Sequence, residues 1–422
     1  MYNKTVLENG LTLVTHRMPK MQSVALGIWI KVGGRYESVE NKGISHYLEH
    51  LLFKGSKKYS CQEIKESIEG VGGALNGFTS EEATCYLVKL PSRHLDLAFD
   101  ILSDMVENPL LLKNDIQREQ TVILEEIKMY KDLPQSYVYD LLDELMWPGE
   151  ALGMSVLGTV ESVGRIGRRV LASFKQGHYG PSNIVVSAAG LLEHDVLVKR
   201  VRKMFRGESG VKKNRCAEAL QRQSKPQVKL YPKETEQTHV ALGFHSFKRG
   251  HPLRHALGLL HVILGGNMSS RLFNELREKR GLAYEIGTQV KRFQDTGAFV
   301  VHAGIDNKKF NEALALILKE LNRITHSLVK EDEFRRAKEF YLGQLMLALE
   351  DTLDHMLWIG ESTLTMDKTY TLADIFKEVS QVKRQDILQA ARQIFQQQHL
   401  NLAVIGPGKD QEIPILKEIQ SG

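Results

Sequence analysis

The chain contains two copies of one sequence pattern. Val24-Ala25-Leu26-Gly27 recurs as Val240-Ala241-Leu242-Gly243, and a turn and an apolar helix follow each copy. Residues 84–105 and 297–318 then share the order strand, turn and apolar helix. Repetition over half the chain predicts a duplication into two homologous α+β domains, each a mainly antiparallel sheet covered by helices.

A polar segment separates the two copies. Residues 206–227 are basic and lack a sustained apolar stripe, which is typical of a connection between domains. We predict an N-terminal domain at 1–210, a linker at 211–228 and a C-terminal domain at 229–422. With 422 residues, the chain is long enough for two domains of roughly 200 residues each.

Composition excludes several classes of function. The net charge of +5 is the small difference between 56 basic and 51 acidic side chains, so we expect no nucleic-acid partner, which requires clustered positive charge. No apolar run approaches the roughly 18 residues of a membrane span. The N-terminus has no apolar signal core, and three scattered cysteines argue against a disulfide framework or a cysteine zinc site. We therefore expect a cytoplasmic protein.

Two histidines and a glutamate lie close together in Gly43–Ser56, which reads GISHYLEHLLFKGS. In a helix, His46 and His50 share one face and Glu49 lies beside them. Two imidazole nitrogens so placed can bind one zinc ion and leave room for a third ligand and a water, whose proton a carboxylate can accept. Because the pattern has only three fixed residues in five, an amphipathic helix that contains histidines by chance is the alternative.

Further residues bear on the helices that would carry such a site. Asn41 or Ser45 can cap the first helix, and Gly55 can end it. In a second helical segment, Glu119 and Glu126 are seven residues apart and so lie on one face. Glu126 is the candidate third ligand and Glu119 a candidate for orienting a ligand, although acidic residues on a helix often form only a solvated face.

The second copy provides an internal control. The helix that corresponds to the histidine-containing helix lies at 257–266 and reads LGLLHVILGG. Leu257 stands at the position of the first histidine and Leu260 at that of the glutamate, while His261 matches the second histidine. The third ligand would be matched near 343–345, and no carboxylate occurs at these three positions. Packing alone thus favours apolar residues in this helix, and metal binding explains the polar ones in the first copy.

Together these motifs resemble the pitrilysin family of inverzincin metallopeptidases, whose zinc motif is HxxEH and which includes insulin-degrading enzyme and the mitochondrial processing peptidase. The resemblance covers nearly the whole chain and is carried by four stretches: GISHYLEHLLFKGS, GGALNGFTSEEATCY, REQTVILEEIKMY and SSRLFNELREKRGLAY. It is strongest for the short, two-domain bacterial relatives of the processing peptidase catalytic subunit. It implies an endopeptidase with one Zn²⁺ per chain that cleaves peptides or unfolded segments in a closed chamber.

The resemblance also implies a role for each residue of the zinc site. His46, His50 and Glu126 would be the zinc ligands. Glu49 would be the general base that acts on zinc-bound water. Glu119 would be a second carboxylate close to the site.

A binding site for extended peptides is implied in the same way. Asn76, Gly77 and Phe78 match the edge strand that pairs with substrate, a β-augmentation mode. Family members commonly carry alanine where this chain has Gly77, so we expect a looser strand with the same role. Arg277 and Tyr284 match residues that approach the substrate carbonyl, where a guanidinium and a phenol can stabilise an oxyanion. Without the resemblance, they would be interpreted as a surface charge and a packing residue.

The number of domains bears on the partners. Long family members form a chamber from four homologous domains, whereas this chain has two. We therefore expect a homodimer in which Arg277 and Tyr284 reach the zinc site of the partner copy. The chain carries both motifs and lacks the long glycine-rich loop of the non-catalytic processing-peptidase subunit, which favours a homodimer over a heterodimer with a related chain.

Two functions are weighed. The first is a zinc-dependent endopeptidase, and the alternative is a non-catalytic peptide-binding or assembly subunit, since some relatives with degraded zinc motifs serve in that way. The intact motif favours the enzyme. A conventional HExxH zincin is excluded because the glutamate here directly precedes the second histidine.

Overall fold

The fold is that of a computed structural model, which describes residues 2–205, 213–221, 223–366 and 368–407. Residues 211, 212 and 222 of the predicted linker lie outside the described residues. The described strands are β1 (Tyr2–Val6), β2 (Thr12–Arg17), β3 (Ser23–Ile30), β4 (Ala74–Thr79), β5 (Thr84–Pro91), β6 (Ile184–Gly190), β7 (Gln227–Pro232), β8 (Gln237–Ser246), β9 (Ala283–Arg292), β10 (Gly297–Asp306) and β11 (Asn401–Gly406).

The helices are longer on average than the strands, and most of them come in runs between groups of strands. The described α-helices are α1 (Ile44–Leu52), α2 (Cys61–Glu69), α3 (Leu95–Glu107), α4 (Lys113–Asp132), α5 (Pro134–Met146), α6 (Val160–Arg165), α7 (Arg168–His178), α8 (His194–Met204), α9 (Arg254–Leu264), α10 (Phe310–His326), α11 (Glu331–Ala348), α12 (Thr352–Met366), α13 (Leu372–Gln381) and α14 (Arg384–Ile394).

The strands form two sheets of matching topology. The first has the order β1-β2-β6-β3-β5-β4 and the second the order β7-β11-β8-β10-β9. One pair in each sheet is parallel, β2 with β6 and β7 with β11, and the remaining pairs are antiparallel. Apart from the additional β1, the two sheets have the same strand order. The predicted α+β fold with two homologous, mainly antiparallel sheet domains is therefore confirmed.

Both faces of the central strands are buried. In β3, Leu26 points into the core that contains α1 and α3, whereas Ala25 and Trp29 point into the core that contains α12. A strand covered on both faces has a continuous apolar run rather than an alternating one, which explains the sequence of β3. In β8, Leu242 and Ala241 divide in the same way between two cores.

The described residues form two compact units, and each unit combines separate parts of the chain. The first unit takes the residues up to Lys128, Met154–Ala217 and Met346–Leu372, and the second takes Met129–Gly153, Glu218–Leu345 and those from Ala373 onward. Each unit therefore contains one helix from the other half of the sequence, α12 in the first and α5 in the second. The boundaries of the compact units differ from those of the sequence repeat. The domain limits predicted from the repeat stay a prediction.

The glycine of each VALG motif makes room for one of these two helices. A Cβ atom at Gly27 would lie 2.5 Å from Sδ of Met356 in α12, and one at Gly243 would lie 2.8 Å from Sδ of Met146 in α5. Such distances are shorter than the roughly 3.5 Å at which carbon atoms pack, so any side chain would displace the methionine. The repeated glycine thus reflects a packing requirement that both units share.

Two simpler expectations concern membranes and disulfides. Within the part of the chain that the structure describes, no helix is both long and apolar enough to cross a bilayer. Within the described residues, Cys61, Cys85 and Cys216 form no disulfide.

Candidate metal centre and active site

Helix α1 begins at a buried cluster of charges. Its N-cap is Gly43, with a φ of 91°, and no side-chain cap is present there. The carboxylate of Glu37 instead accepts hydrogen bonds from the backbone N–H groups of Gly43, at 2.9 Å, and Ser45, at 2.8 Å. Nζ of Lys42 lies 3.6 Å from the same carboxylate. The predicted cap by Asn41 or Ser45 was wrong, because a carboxylate earlier in the loop satisfies these donors and stabilises the positive end of the helix.

The other end of α1 and its contact with α4 are equally well defined. The helix ends at Leu52, before the predicted stop at Gly55. Midway along α1, the hydroxyl of Tyr47 donates to the carbonyl oxygen of Ile116 in α4. This bond joins the helix that carries the histidines to the helix that carries the two candidate glutamates.

The three candidate ligands lie together. Nε2 of His46 is 3.8 Å and Nε2 of His50 is 3.7 Å from Oε2 of Glu126. One ligand atom from each residue lies within 4.8 Å of the other two. Two ligands of a tetrahedral zinc ion at about 2.0–2.1 Å are separated by roughly 3.3 Å, so only small side-chain movements separate this cluster from a zinc site.

The chemistry of the donor set fits a zinc ion. Nitrogen and carboxylate oxygen are typical zinc ligands. Burial, followed by the proximity of His50, lowers the pKa of His46 to about 3. The imidazole of His46 is therefore neutral near pH 7, which is the form that binds a metal.

Glu49 lies beside this cluster and is only 9% exposed. Oγ1 of Thr79 in β4 donates a hydrogen bond of 3.3 Å to Oε2 of Glu49. Burial raises the pKa of Glu49 above its ordinary value of 4.5, while His50 and Thr79 act in the opposite direction. A carboxylate with a raised pKa is a better proton acceptor, which suits a general base.

Gly77 leaves space for the same carboxylate. A Cβ atom at this position would lie 3.0 Å from Oε1 of Glu49 and 3.0 Å from two ring atoms of Phe53. Strand β4 pairs with β5 without interruption through Gly77, opposite Tyr86. Glycine here therefore accommodates Glu49, and the pairing of the strand is regular.

Strand β4 is the free edge of the first sheet. Oδ1 of Asn76 accepts a hydrogen bond of 2.8 Å from the N–H of Gly77. The ring of Phe78 packs edge-on against Trp29 at 5.6 Å between centroids. The edge thus offers an extended backbone beside Glu49, and such edges accept an additional strand.

Glu119 approaches one ring nitrogen of His50, Nδ1, and Glu126 approaches the other, Nε2. Oε2 of Glu119 lies 3.1 Å from Nδ1 of His50, and its Oε1 lies 2.8 Å from Nζ of Lys54. With Nδ1–H donated to this carboxylate, Nε2 of His50 is left with its lone pair toward the cluster.

Arg277 and Tyr284 belong to the second unit. Arg277 lies in a π-helical turn, Phe273–Glu278, which is uncommon and often found at functional sites. Its guanidinium lies 5.0 Å from the ring centroid of Phe273 and 5.1 Å from that of Tyr284, and its Nη1 donates to the carbonyl oxygen of Tyr284 at 2.8 Å. Tyr284 is 74% exposed. The arginine is therefore held on a surface between two aromatic rings.

The second unit has no counterpart of the histidine and glutamate cluster among the residues that the structure describes. Leu257 and Leu260 of α9 are buried, at 1% and 0% exposure. Nδ1 of His261 lies 2.8 Å from Oγ1 of Thr288. Helix α9 thus buries its leucines in the core, as its apolar sequence indicated.

Sequence reasoning did not identify three residues around the site: Thr79, Lys54 and Glu37. Thr79 and Lys54 lie within the stretches that carry the resemblance, so their positions offered a weak signal. No sequence signal pairs Glu37 with α1, because hydrogen bonds of a carboxylate to a helix six residues away depend on the shape of the loop.

Two matching sheet domains, with an HxxEH helix and a facing glutamate in the first, define an inverzincin type of zinc metallopeptidase. Residues 12–160 match the family model described as insulinase, peptidase family M16, and residues 165–341 match that of the peptidase M16 inactive domain. The chain belongs to peptidase family M16, the family of insulinase-like zinc proteases.

Curated relatives match over nearly their full length. An uncharacterized zinc protease of Streptomyces coelicolor is 38% identical, with 97% of this chain and 90% of that protein covered. An uncharacterized zinc protease of Bacillus subtilis is 36% identical, with 96% and 98% covered. One from Mycobacterium tuberculosis is 35% identical, with 97% and 94% covered.

Solved structures share the fold. A protease from Helicobacter pylori has a TM-score of 0.91 at 22% identity, with 96% of this chain and 100% of that chain covered. A peptidase M16 inactive domain from Pseudomonas fluorescens has a TM-score of 0.89 at 16% identity, with 98% and 99% covered.

Proposed function

We propose that this protein is a zinc-dependent endopeptidase that binds one zinc ion per chain through His46, His50 and Glu126. The observation that carries the proposal is that the donor atoms of these three residues lie within 4.8 Å of one another, with Glu49 beside them. When bound, zinc supplies Lewis acidity, which polarises a peptide carbonyl and makes a coordinated water more acidic.

Glu49 is the proposed general base. Its burial, its raised pKa and its position on the same helix as both histidines support this role. Glu49 accepts a proton from the attacking water and then passes it to the leaving amine, so one carboxylate serves both half-steps. Thr79 holds one oxygen of the carboxylate, and the missing side chain at Gly77 leaves room for the other.

Peptides or unfolded segments are the proposed substrates. An extended peptide pairs with the free edge of β4, at Asn76, Gly77 and Phe78, and so lies beside Glu49. The hydrogen bond from the Gly77 N–H to Asn76 covers this edge in the free protein, and substrate pairing replaces it.

Arg277 and Tyr284 are the proposed contacts to the substrate carbonyl, supplied by a second copy of the chain in a homodimer. Their exposure and the clamping of the guanidinium between two rings support a role in contacting another molecule. A preorganised cation of this kind stabilises developing negative charge on oxygen. The cytoplasm is the proposed location, because the cysteines of the described residues form no disulfide.

Substitution of Glu49 by glutamine tests the proposal. We expect Glu49→Gln to reduce peptide cleavage by about 10²–10⁴-fold while it retains about one zinc per chain, because only the proton acceptor is lost. Zinc content is measured by atomic emission, and cleavage by mass spectrometry of products from a peptide library.

Glu125→Gln is the matched control. Glu125 is the neighbour of Glu126 on α4, its side chain is 66% exposed, and it forms a surface ion pair with Lys128. This variant is expected to cleave as the wild type does. A wild type that binds zinc but cleaves no peptide would favour the alternative, a non-catalytic peptide-binding subunit, and a wild type without zinc would overturn the proposal.

A further inference from the structure

One buried carboxylate joins two side chains from α1 and the turn that follows it. Oε2 of Glu119 lies 3.1 Å from Nδ1 of His50, and Oε1 lies 2.8 Å from Nζ of Lys54. The two oxygens thus have different partners, four residues apart in the chain. The side chain of Glu119 is only 7% exposed, so these partners replace most of its hydration.

Lys54 is itself well anchored. Its backbone N–H donates to the carbonyl oxygen of Leu51 at 3.0 Å, so the turn at the end of α1 sets the direction of the side chain. Its side chain is 29% exposed. By contrast, the nearby pair of Lys58 and Asp100 is 47% and 36% exposed, as is usual for a surface pair.

The two histidines of the cluster differ in the hydrogen-bond partner of their Nδ1 atoms. Nδ1 of His50 has the carboxylate of Glu119 as its partner, whereas Nδ1 of His46 is buried and has no hydrogen-bond partner among the described residues. The orientation of the His50 ring and the nitrogen that carries its proton are therefore set by Glu119, and only a carboxylate held in place can set them.

We infer that Lys54 is a positioning residue for the metal site: by binding Oε1 of Glu119, it keeps Oε2 directed at Nδ1 of His50 and so keeps Nε2 of His50 directed at Glu126. This inference rests on the proposed zinc function. Lys54 does not touch the metal or the substrate and acts only through Glu119. Without the ammonium group, Oε1 of the carboxylate loses its partner, the carboxylate turns toward solvent, and Oε2 no longer holds the ring of His50.

Zinc affinity tests the inference without recourse to activity. Zinc is removed from the full-length protein, and its dissociation constant is measured by competition with a chromophoric chelator. We expect Lys54→Met to weaken zinc binding about tenfold, the effect typical of a lost partner behind a metal ligand. Lys54→Arg keeps the charge and the donor, and is expected to remain within about twofold of the wild type.

Coupling distinguishes positioning from a general loss of structure. Glu119→Gln alone is expected to weaken zinc binding about tenfold, and the double variant with Lys54→Met no further, because both substitutions break the same chain of contacts. Lys58→Met, which removes the exposed ion pair, is the control and should bind zinc as the wild type does. Thermal unfolding of the zinc-free proteins reports whether each variant is folded.

The possible outcomes are separable. A folded Lys54→Met chain with wild-type zinc affinity, or losses that add in the double variant, overturns the inference. If Lys54→Met does not fold, Lys54→Ala, which likewise removes the donor, is judged by the same tenfold criterion. A wild type that binds no zinc overturns the proposed function and this inference together, whereas equal binding by wild type and variant overturns the inference alone.

Discussion

Helices α1 and α9 precede equivalent strand pairs in the two sheets, but they bury different side chains. In α1, His46 and Glu49 are 7% and 9% exposed, and in α9 the matching Leu257 and Leu260 are 1% and 0% exposed. The histidine that both helices retain has a carboxylate partner in α1, Glu119, and a threonine partner in α9. The same fold thus accommodates the polar residues of α1 and the leucines of α9, and of these only the residues of α1 can bind a metal or accept a proton.

Helices α12 and α5, which each come from the other half of the sequence, show the opposite: here the two units agree. Gly27 receives Met356 of α12, and Gly243 receives Met146 of α5, at nearly the same distance. Packing requirements of the sheets are therefore shared, whereas among the described residues the histidine and glutamate cluster occurs only in the first unit. Substitutions in both units can test this contrast between shared packing and unshared chemistry.

Reciprocal substitutions between the two helices should have unequal effects on stability. Leu260→Glu places a carboxylate at a position of 0% exposure without a partner, and we expect a loss of about 4 kcal/mol in the free energy of unfolding. Glu49→Leu removes a carboxylate that is already penalised by burial, and we expect a change of less than about 1 kcal/mol.

Thermal unfolding of the zinc-free proteins, followed by circular dichroism, measures both changes. A Leu260→Glu chain as stable as the wild type would mean that α9 is not constrained by packing. A strongly destabilised Glu49→Leu chain would mean that the glutamate contributes to the core, which would weaken the contrast between the two helices.

A second prediction concerns Arg277, which belongs to the second unit, and Glu49, which belongs to the first. Arg277→Ala should reduce cleavage about 10²–10³-fold, as expected when an oxyanion-stabilising donor is lost. If Arg277 acts in the partner copy, then equal mixing of Arg277→Ala and Glu49→Gln chains should restore about one quarter of wild-type activity, since half the dimers are mixed and each holds one complete site.

Cleavage of a fluorogenic peptide is followed after the two variants are unfolded and refolded together. Arg280→Ala serves as the control, because Arg280 is also a cation at the end of the same turn but pairs with Glu275. Mixtures that remain inactive, despite a dimer in solution, would contradict action in the partner copy.

The third and smallest effect concerns pH. Burial lowers the pKa of His261 in α9 from 6.5 to about 4. Between these pH values the unfolded chain binds a proton that the folded chain does not, so the free energy of unfolding is highest above pH 6.5 and decreases as the pH falls toward 4. We expect this histidine to contribute about 3 kcal/mol to the decrease.

His261→Gln should therefore flatten the dependence of stability on pH in this window, as measured by urea unfolding of the zinc-free protein. His326→Gln, at an exposed position on α10, should leave it unchanged. If His261→Gln has the same pH dependence as the wild type, the shared histidine is not protected by the packing of the second unit.

Much of the fold and part of the candidate site could be predicted because local patterns suffice for them. Alternating strand and helix patterns, repeated around the two VALG motifs, predicted the two sheets. Spacing of three and four residues predicted that His46, Glu49 and His50 share a helix face, since helical periodicity is local. The helical spacing made Glu126 a candidate third ligand, the resemblance assigned it that role, and the structure brings it to the histidines.

The cap of α1 and the contacts of Lys54 could not be predicted in this way. Asn41 and Ser45 have typical capping side chains, yet Glu37 satisfies the N–H groups because the loop folds back. Similarly, nothing local determines that Lys54 meets Glu119 rather than one of the other acidic side chains on the surface.

The sequence by itself determined the duplication, the succession of strand, turn and helix along each copy and the three residues of α1 that can bind metal and accept a proton. Only the tertiary structure decided that α12 covers the first sheet and α5 the second, and that α4 brings both glutamates to α1. The physical reason is that periodicity specifies which side chains share a face, whereas the packing of residues distant in the chain specifies which faces meet.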